Sequence, residues 1–195
     1  MKSVKNSFVR ESDRLLPSDL IQMMYISAFG MQYHRLMLEK QMAAPGSTTT
    51  FDVNASAEQG VGVSLDLWSF RFYTKNIINY VDSKKWVELG IAVSSFKEMI
   101  MTVYRMSTKG SPSVQAWSSR LIGVVFYERE IMDLIPTLLM KCQEAKKYVS
   151  TWYITDLMET AHAVLNIGQK MSEKSMLVRT RKKKKKQKEK KKKEE

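Results

Sequence analysis

Three features of the sequence predict an all-α fold. Apolar residues recur at three- and four-residue spacing through successive stretches. No stretch alternates apolar and polar residues as a half-buried strand would. The breaks between stretches hold the Gly, Pro, Ser and Asp residues that stop and start helices. Antiparallel helices with short connections are the unit of an α-solenoid or a small bundle.

Residues 2–14 form a short polar segment in which Val4, Phe8 and Val9 can share one helical stripe. Leu15-Leu16-Pro17-Ser18-Asp19 then reads as a break, with Pro17 ending the first element and Ser18 or Asp19 capping the next. From Leu20 to about Met42 the chain is apolar on more than one side: Met23, Met24, Tyr25, Ile26, Phe29, Met31, Tyr33, Leu36 and Met37. A helix apolar all round is predicted to be a buried one.

Residues 43–63 carry Pro-Gly, Ser-Thr-Thr-Thr and Gly-Val-Gly without periodicity and are predicted to form a flexible loop. Ser64 or Asp66 can cap a helix bearing Leu65, Trp68, Phe72, Tyr73, Ile77 and Tyr80. The next helix has the cleanest pattern in the chain, Trp86, Leu89, Val93, Phe96, Ile100 and Val103, and it meets a stop at Lys109-Gly110-Ser111-Pro112.

Three more helical segments follow. Val114, Trp117, Leu121 and Val124 share one face behind a Ser-Pro-Ser start. Ile131, Leu134, Ile135, Leu138, Leu139 and Cys142 make a second face, with Pro136 expected to kink or restart the helix. Ile154, Leu157, Met158, Ala161, Val164, Leu165 and Gly168 make a third, opened by Ser150 or Thr151.

At 195 residues and 44% hydrophobic content, the chain suits one domain with a core. Its net charge of +12 is concentrated at one end: residues 179–195 carry a net +9, leaving +3 for residues 1–178. The domain reading is therefore a helical segment over 1–178 and a lysine-rich tail over 179–195. Cys142 has no second cysteine to pair with, which fits a reducing compartment. Residues 1–18 lack the uninterrupted apolar run of a signal peptide, and no run of about 18 apolar residues predicts a membrane span.

Most catalytic chemistries find no support. Glu159 and His162 have the Glu-x-x-His spacing of di-iron bundles, but a second such pair is missing, and His34 has no glutamate three residues before it. Gly60-Val61-Gly62 lacks the third glycine and the preceding strand of a phosphate-binding fingerprint. The expectation is no enzyme activity, no cofactor, no metal and no small-molecule substrate. The 14 methionines favour core packing over an adaptable binding surface, since Met23, Met24, Met31 and Met37 fall in the densest apolar stretch. Trp152 and Tyr153, with Met158, are candidates for partner binding, because aromatic side chains dominate interface hot spots.

The tail is the strongest signal on physical grounds. Arg179, Arg181, Lys182, Lys183, Lys184, Lys185, Lys186 and Lys188 have no apolar face to bury and repel one another, so disorder is predicted, with contact to nucleic-acid phosphates or an import receptor. If about six of these charges met phosphates, log affinity would fall with log salt at a slope of roughly −5. No aromatics are interleaved there, so base stacking by the tail is not expected.

Three motifs then occur in a fixed order. Phe126-Tyr127 with Glu130 is followed by Asp156-Leu157, Glu159-Thr160 and His162, and then by the run from Val178 through Lys186. In order and spacing this resembles the closing part of the amino-terminal helical region of the Timeless family, and residues 69–80 and 24–34 fit more loosely. The resemblance implies an armadillo- or HEAT-like α-solenoid segment with a disordered basic tail. It implies a non-enzymatic nuclear scaffold that binds a Tipin-type partner in the fork protection complex, contacts duplex DNA at replication forks and supports the S-phase checkpoint. One insect branch of the family acts in the circadian clock. Family members are several times longer than this chain. For Asp156, Glu159 and His162 the expected role is structural, capping and interhelical hydrogen bonding that orient the last helix. The alternative reading is a basic-tailed helical nucleic-acid-binding protein without a fork partner.

Overall fold

The computed structural model describes residues 16–43, 65–110, 112–145, 147–148 and 150–173. Among these residues there are six helices and no strand: α1 (Pro17–Ala43), α2 (Leu67–Asp82), α3 (Trp86–Lys109), α4 (Pro112–Val125), α5 (Arg129–Ala145) and α6 (Thr151–Glu173). The segment 2–14, nearly all of the stretch read as a loop over 43–63, and the tail over 179–195 lie outside the described residues.

Local chemistry accounts for most helix ends. At α1 the Leu16 N–H donates to Asp19 Oδ2 at 3.0 Å, placing an acid in the first turn beside Pro17. Asp66 caps α2 by accepting from the Ser69 N–H at 2.8 Å and the Ser69 hydroxyl at 2.7 Å. Between α2 and α3, Lys84 takes a positive φ of 56°, and the Lys85 N–H reaches back to the Tyr80 carbonyl at 2.9 Å. At the end of α3 a Cβ on Gly110 would stand 2.6 Å from the Met106 carbonyl oxygen and 2.6 Å from Val114 Cγ1. Glycine is required there by close approach, since α4 begins two residues later with Pro112 in its first turn.

The core is organised around α3, which packs against α1, α2, α4 and α6. Leu89, Val93, Phe96, Ile100 and Val103 are buried as their spacing predicts, and so are Ala92, Ser95, Glu98, Met99, Thr102 and Met106 on the rest of its circumference. Phe96 meets Phe70 of α2 edge to face at 5.9 Å. Asp82 reaches Lys141, and Arg71 reaches Glu128 just before α5. Lys97 reaches Asp156, and Tyr104 reaches Lys170. In both pairs the contacts advance in the same direction along the two helices, so α2 runs parallel to α5 and α3 parallel to α6.

Several sequence expectations are corrected. α1 is not buried all round: Met24, Met31 and His34 face α3, while Tyr25, Ile26, Phe29, Tyr33 and Leu36 are exposed. Pro136 does not restart α5, which is one helix with the proline exposed in its interior. The single bond it removes is outweighed by Ile131, Leu134, Ile135 and Leu138, which stay buried on both sides of it, while Leu139 turns outward.

The buried faces of α4 and α6 are rotated from the apolar stripes. In α4, Ser118 and Ile122 join Val114 inside and Val124 lies outside. In α6, Tyr153, Asp156, Leu157, Thr160, Ala163, Ile167 and Met171 are buried, with Met158 and Leu165 exposed. Both rotations bring satisfied polar groups inside. Ser118 Oγ donates to the Val114 carbonyl at 2.7 Å and Thr160 Oγ1 to the Asp156 carbonyl at 2.6 Å, so neither hydroxyl is desolvated without a partner.

Candidate interaction site

A partly buried charge network links α1, α3 and α6. Lys97 of α3 stands with its Nζ 2.6 Å from Asp156 Oδ1, 3.2 Å from Glu159 Oε2 and 3.8 Å from Glu98 Oε1. Glu98 in turn takes a forked pair from Arg35 of α1, Nε to Oε2 at 3.2 Å and Nη2 to Oε1 at 3.3 Å. Two cations and three carboxylates thus alternate across three helices whose members are about 60 residues apart in sequence. Burial would lower the Lys97 pKa, but hydrogen bonds and charge from Asp156 and Glu159 outweigh it and hold the ammonium above its ordinary range.

Asp156 is buried and Glu159 half exposed, so the pair grips Lys97 from the core side and the solvent side. The arrangement gives each charge an opposite neighbour. It fixes the position of α6 on α3 and of α3 on α1. Among the described residues no cluster of three or more His, Cys, Asp or Glu side chains is placed to hold a metal ion.

The remaining motif residues are dispersed. His162 lies on the outer face of α6, its Nε2 2.9 Å from Asn166 Nδ2. Leu157 and Thr160 are core residues. Phe126 and Tyr127 form the turn between α4 and α5: their N–H groups bond to the Ile122 and Val124 carbonyls, and Glu130 falls in the first turn of α5. Phe126 is buried in the turn and Tyr127 exposed. Glu128, between them and α5, accepts from Arg71 at 2.7 Å.

Of the partner-binding candidates, Trp152 is 78% exposed and Met158 57%, but Tyr153 is only 3% exposed and belongs to the core. Burial also pushes its phenol pKa up to about 12. The basic residues Arg179, Arg181, Lys182, Lys183, Lys184, Lys185, Lys186 and Lys188 lie outside the described residues.

Sequence reasoning missed Arg35, Lys97 and Glu98. The available signal was Lys97-Glu98 between Phe96 and Met99, two charges inside the best apolar pattern in the chain. It also missed the outward stripe of α1, where Phe29 and Tyr33 stack at 6.5 Å in a neutral stretch from Leu20 to His34. A shallow cleft of about 40 Å³ lies between α3, α4 and α6, with Lys170 Nζ 4.7 Å from the centre of the Tyr104 ring. No helix of the described residues is long and apolar enough to cross a membrane.

Comparison with known proteins finds relatives along nearly the whole chain. A Topoisomerase 1-associated factor 1 of Cryptococcus neoformans is 23% identical over 184 residues, 93% of this chain and 17% of that protein. The protein of the same name from Aspergillus terreus is 21% identical over 185 residues, 92% of this chain and 16% of its own length. The mating-type switching protein swi1 of Schizosaccharomyces pombe is 19% identical over 181 residues, 93% of this chain and 18% of swi1. The chain therefore spans about a sixth of the length of these curated relatives. No family model and no solved structure matches it.

Proposed function

From a chain related to the Timeless family, through its fungal topoisomerase-associated and swi1 members, we infer a segment of a non-enzymatic nuclear scaffold that acts at replication forks. The observation that carries this reading is the agreement along more than nine-tenths of the chain with proteins of that family, together with three motifs in the family's order. The assembly partner in this reading is a Tipin-type protein, and the basic tail adds contact with duplex DNA or an import receptor. Support for replication, checkpoint and fork-protection roles comes from kinship alone.

The solenoid reading has physical support of its own. The parallel pairs α2 with α5 and α3 with α6 are each three helices apart, the period of an armadillo-type repeat, and stacked repeats related by a translation place equivalent helices parallel. In this reading α2–α3 and α5–α6 are equivalent halves of successive repeats, and the Lys97 network is the polar clamp between them. The outward stripe of α1, with Tyr25, Phe29 and Tyr33, is a surface of the right kind for an amphipathic helix of the partner.

Co-expression of the full chain with a Tipin-type protein, followed by size-exclusion chromatography at about physiological salt, tests the scaffold reading. Co-elution that survives replacement of Lys182–Lys186 by glutamine is the expected result. A folded chain that elutes alone would sink the partner and leave the basic-tailed nucleic-acid binder, which the charge run favours, as the better account.

A further inference from the structure

The parallel arrangement of α2 with α5 and α3 with α6 brings the α2–α3 turn and the α5–α6 turn to the same end of the molecule. Lys141 reaches Asp82 at 3.8 Å there, and the Trp86 ring lies flat on Tyr148, centroids 6.1 Å apart and planes within 5°. Tyr148 is 66% exposed, and Trp152, in the first turn of α6, is 78% exposed. Lys84, Lys85 and Lys147 are exposed next to these rings in sequence. The nearby acids are Asp82, met by Lys141, and Glu88 in the first turn of α3.

We propose that this end of the molecule binds single-stranded nucleic acid, with Tyr148 and Trp152 stacking on bases and Lys84, Lys85 and Lys147 holding phosphates. Three observations favour that ligand. Exposed aromatic rings with exposed lysines next to them in sequence suit unpaired bases on a charged backbone, whereas the bases of a duplex are already stacked on one another. A protein partner fits less well, because lysine is depleted at protein interfaces. Lys84 sits in the left-handed region where glycine would be cheaper, so the fold bears a local strain to present a cation at this place.

This site uses none of the residues of the tail and does not depend on the fork reading. The test uses the full chain, an oligothymidylate of about 15 nucleotides and a duplex of equal length, with anisotropy and intrinsic tryptophan fluorescence as readouts. The expected result is quenching and tighter binding by the single strand. In the double variant Tyr148→Ala/Trp152→Ala, single-strand affinity should fall by about tenfold or more while duplex affinity, carried by the tail, stays the same. Lys84→Gly should raise the thermal midpoint yet weaken single-strand binding, a combination a purely structural lysine would not produce. Circular dichroism checks that the variants are folded. Equal affinity for strand and duplex in the parent chain, or equal loss of both in the double variant, overturns the proposal.

Discussion

Between Leu20 and His34, α1 carries no charged side chain, yet Tyr25, Ile26, Phe29 and Tyr33 face outward; α3 holds Lys97 and Glu98 in mid-helix, yet is buried on most of its circumference. Composition alone would exchange their places. What decides the matter is the number of neighbours: α3 is covered by α1, α2, α4 and α6, and α1 packs chiefly against α3. A central helix can contain charges when other helices supply counter-charges, as Arg35 does for Glu98 and Asp156 and Glu159 do for Lys97. A peripheral helix can be apolar on its outer face when that face is a surface for association.

The sharpest way to break this comparison is to truncate one aromatic in each helix. Phe96→Ala should cost about 3–5 kcal/mol, because it leaves a cavity against Phe70. Phe29, 71% exposed, should cost no more than about 0.5 kcal/mol on the same change. Urea denaturation of the two variants measures both numbers, and similar losses would mean that α1 is as central as α3.

Charge in the middle of α3 is the next test. Lys97→Ala leaves Asp156 buried beside Glu159 without a cation and should cost about 2 kcal/mol, less than for a fully dry pair because Glu159 is half in water. The same contacts give a pH signature. Since the folded Lys97 pKa lies above the ordinary 10.5, its contribution is present below pH 10.5 and is lost as pH rises through the folded value. Tyr73 acts in the same direction. Burial pushes its phenol from 10.0 up to about 12, so stability falls as pH climbs from 10 to 12. Thermal midpoints measured from pH 9 to 12 should drop steeply for the parent chain and less steeply for Lys97→Ala.

A comparable effect is expected where α3 ends. Gly110→Ala forces a methyl against the Met106 carbonyl and Val114, and should cost about 1–3 kcal/mol. If α4 shifts freely, the loss measured by chemical denaturation will fall below that range. The smallest effect on folding is expected at the outer face of α1. Phe29→Ser together with Tyr33→Ser should leave the thermal midpoint within a few degrees. The same pair should abolish co-elution with the partner if this stripe is where it docks; unchanged co-elution would move the docking surface elsewhere.

Helix by helix, much of the fold was legible in the sequence. Asp66 was read as a possible cap and caps α2; the Gly110-Ser111-Pro112 stop lies where α3 gives way to α4; Leu89 through Val103 mark the buried row of α3. The site was less legible. Asp156 and Glu159 stood out by their motif, but their partner Lys97 lies some 60 residues earlier and nothing in its own neighbourhood announces the pairing. Tyr153 and Trp152 are adjacent in sequence and opposite in exposure, 3% against 78%, because successive residues of a helix point about 100° apart and only the placement of α3 says which of them is inside.

By itself the sequence marked several helix ends, such as the Asp66 cap and the Gly110–Pro112 stop, because caps and close-packed glycines act over a few residues, and it determined that residues 179–195 are a run of cations. Tertiary structure alone decided which helix is central, which way α2 and α5 and α3 and α6 run beside each other, and which charges are paired. Those depend on contacts between residues far apart in the chain, and a half-buried Lys97 is stable only once α6 has brought Asp156 to within 2.6 Å of it.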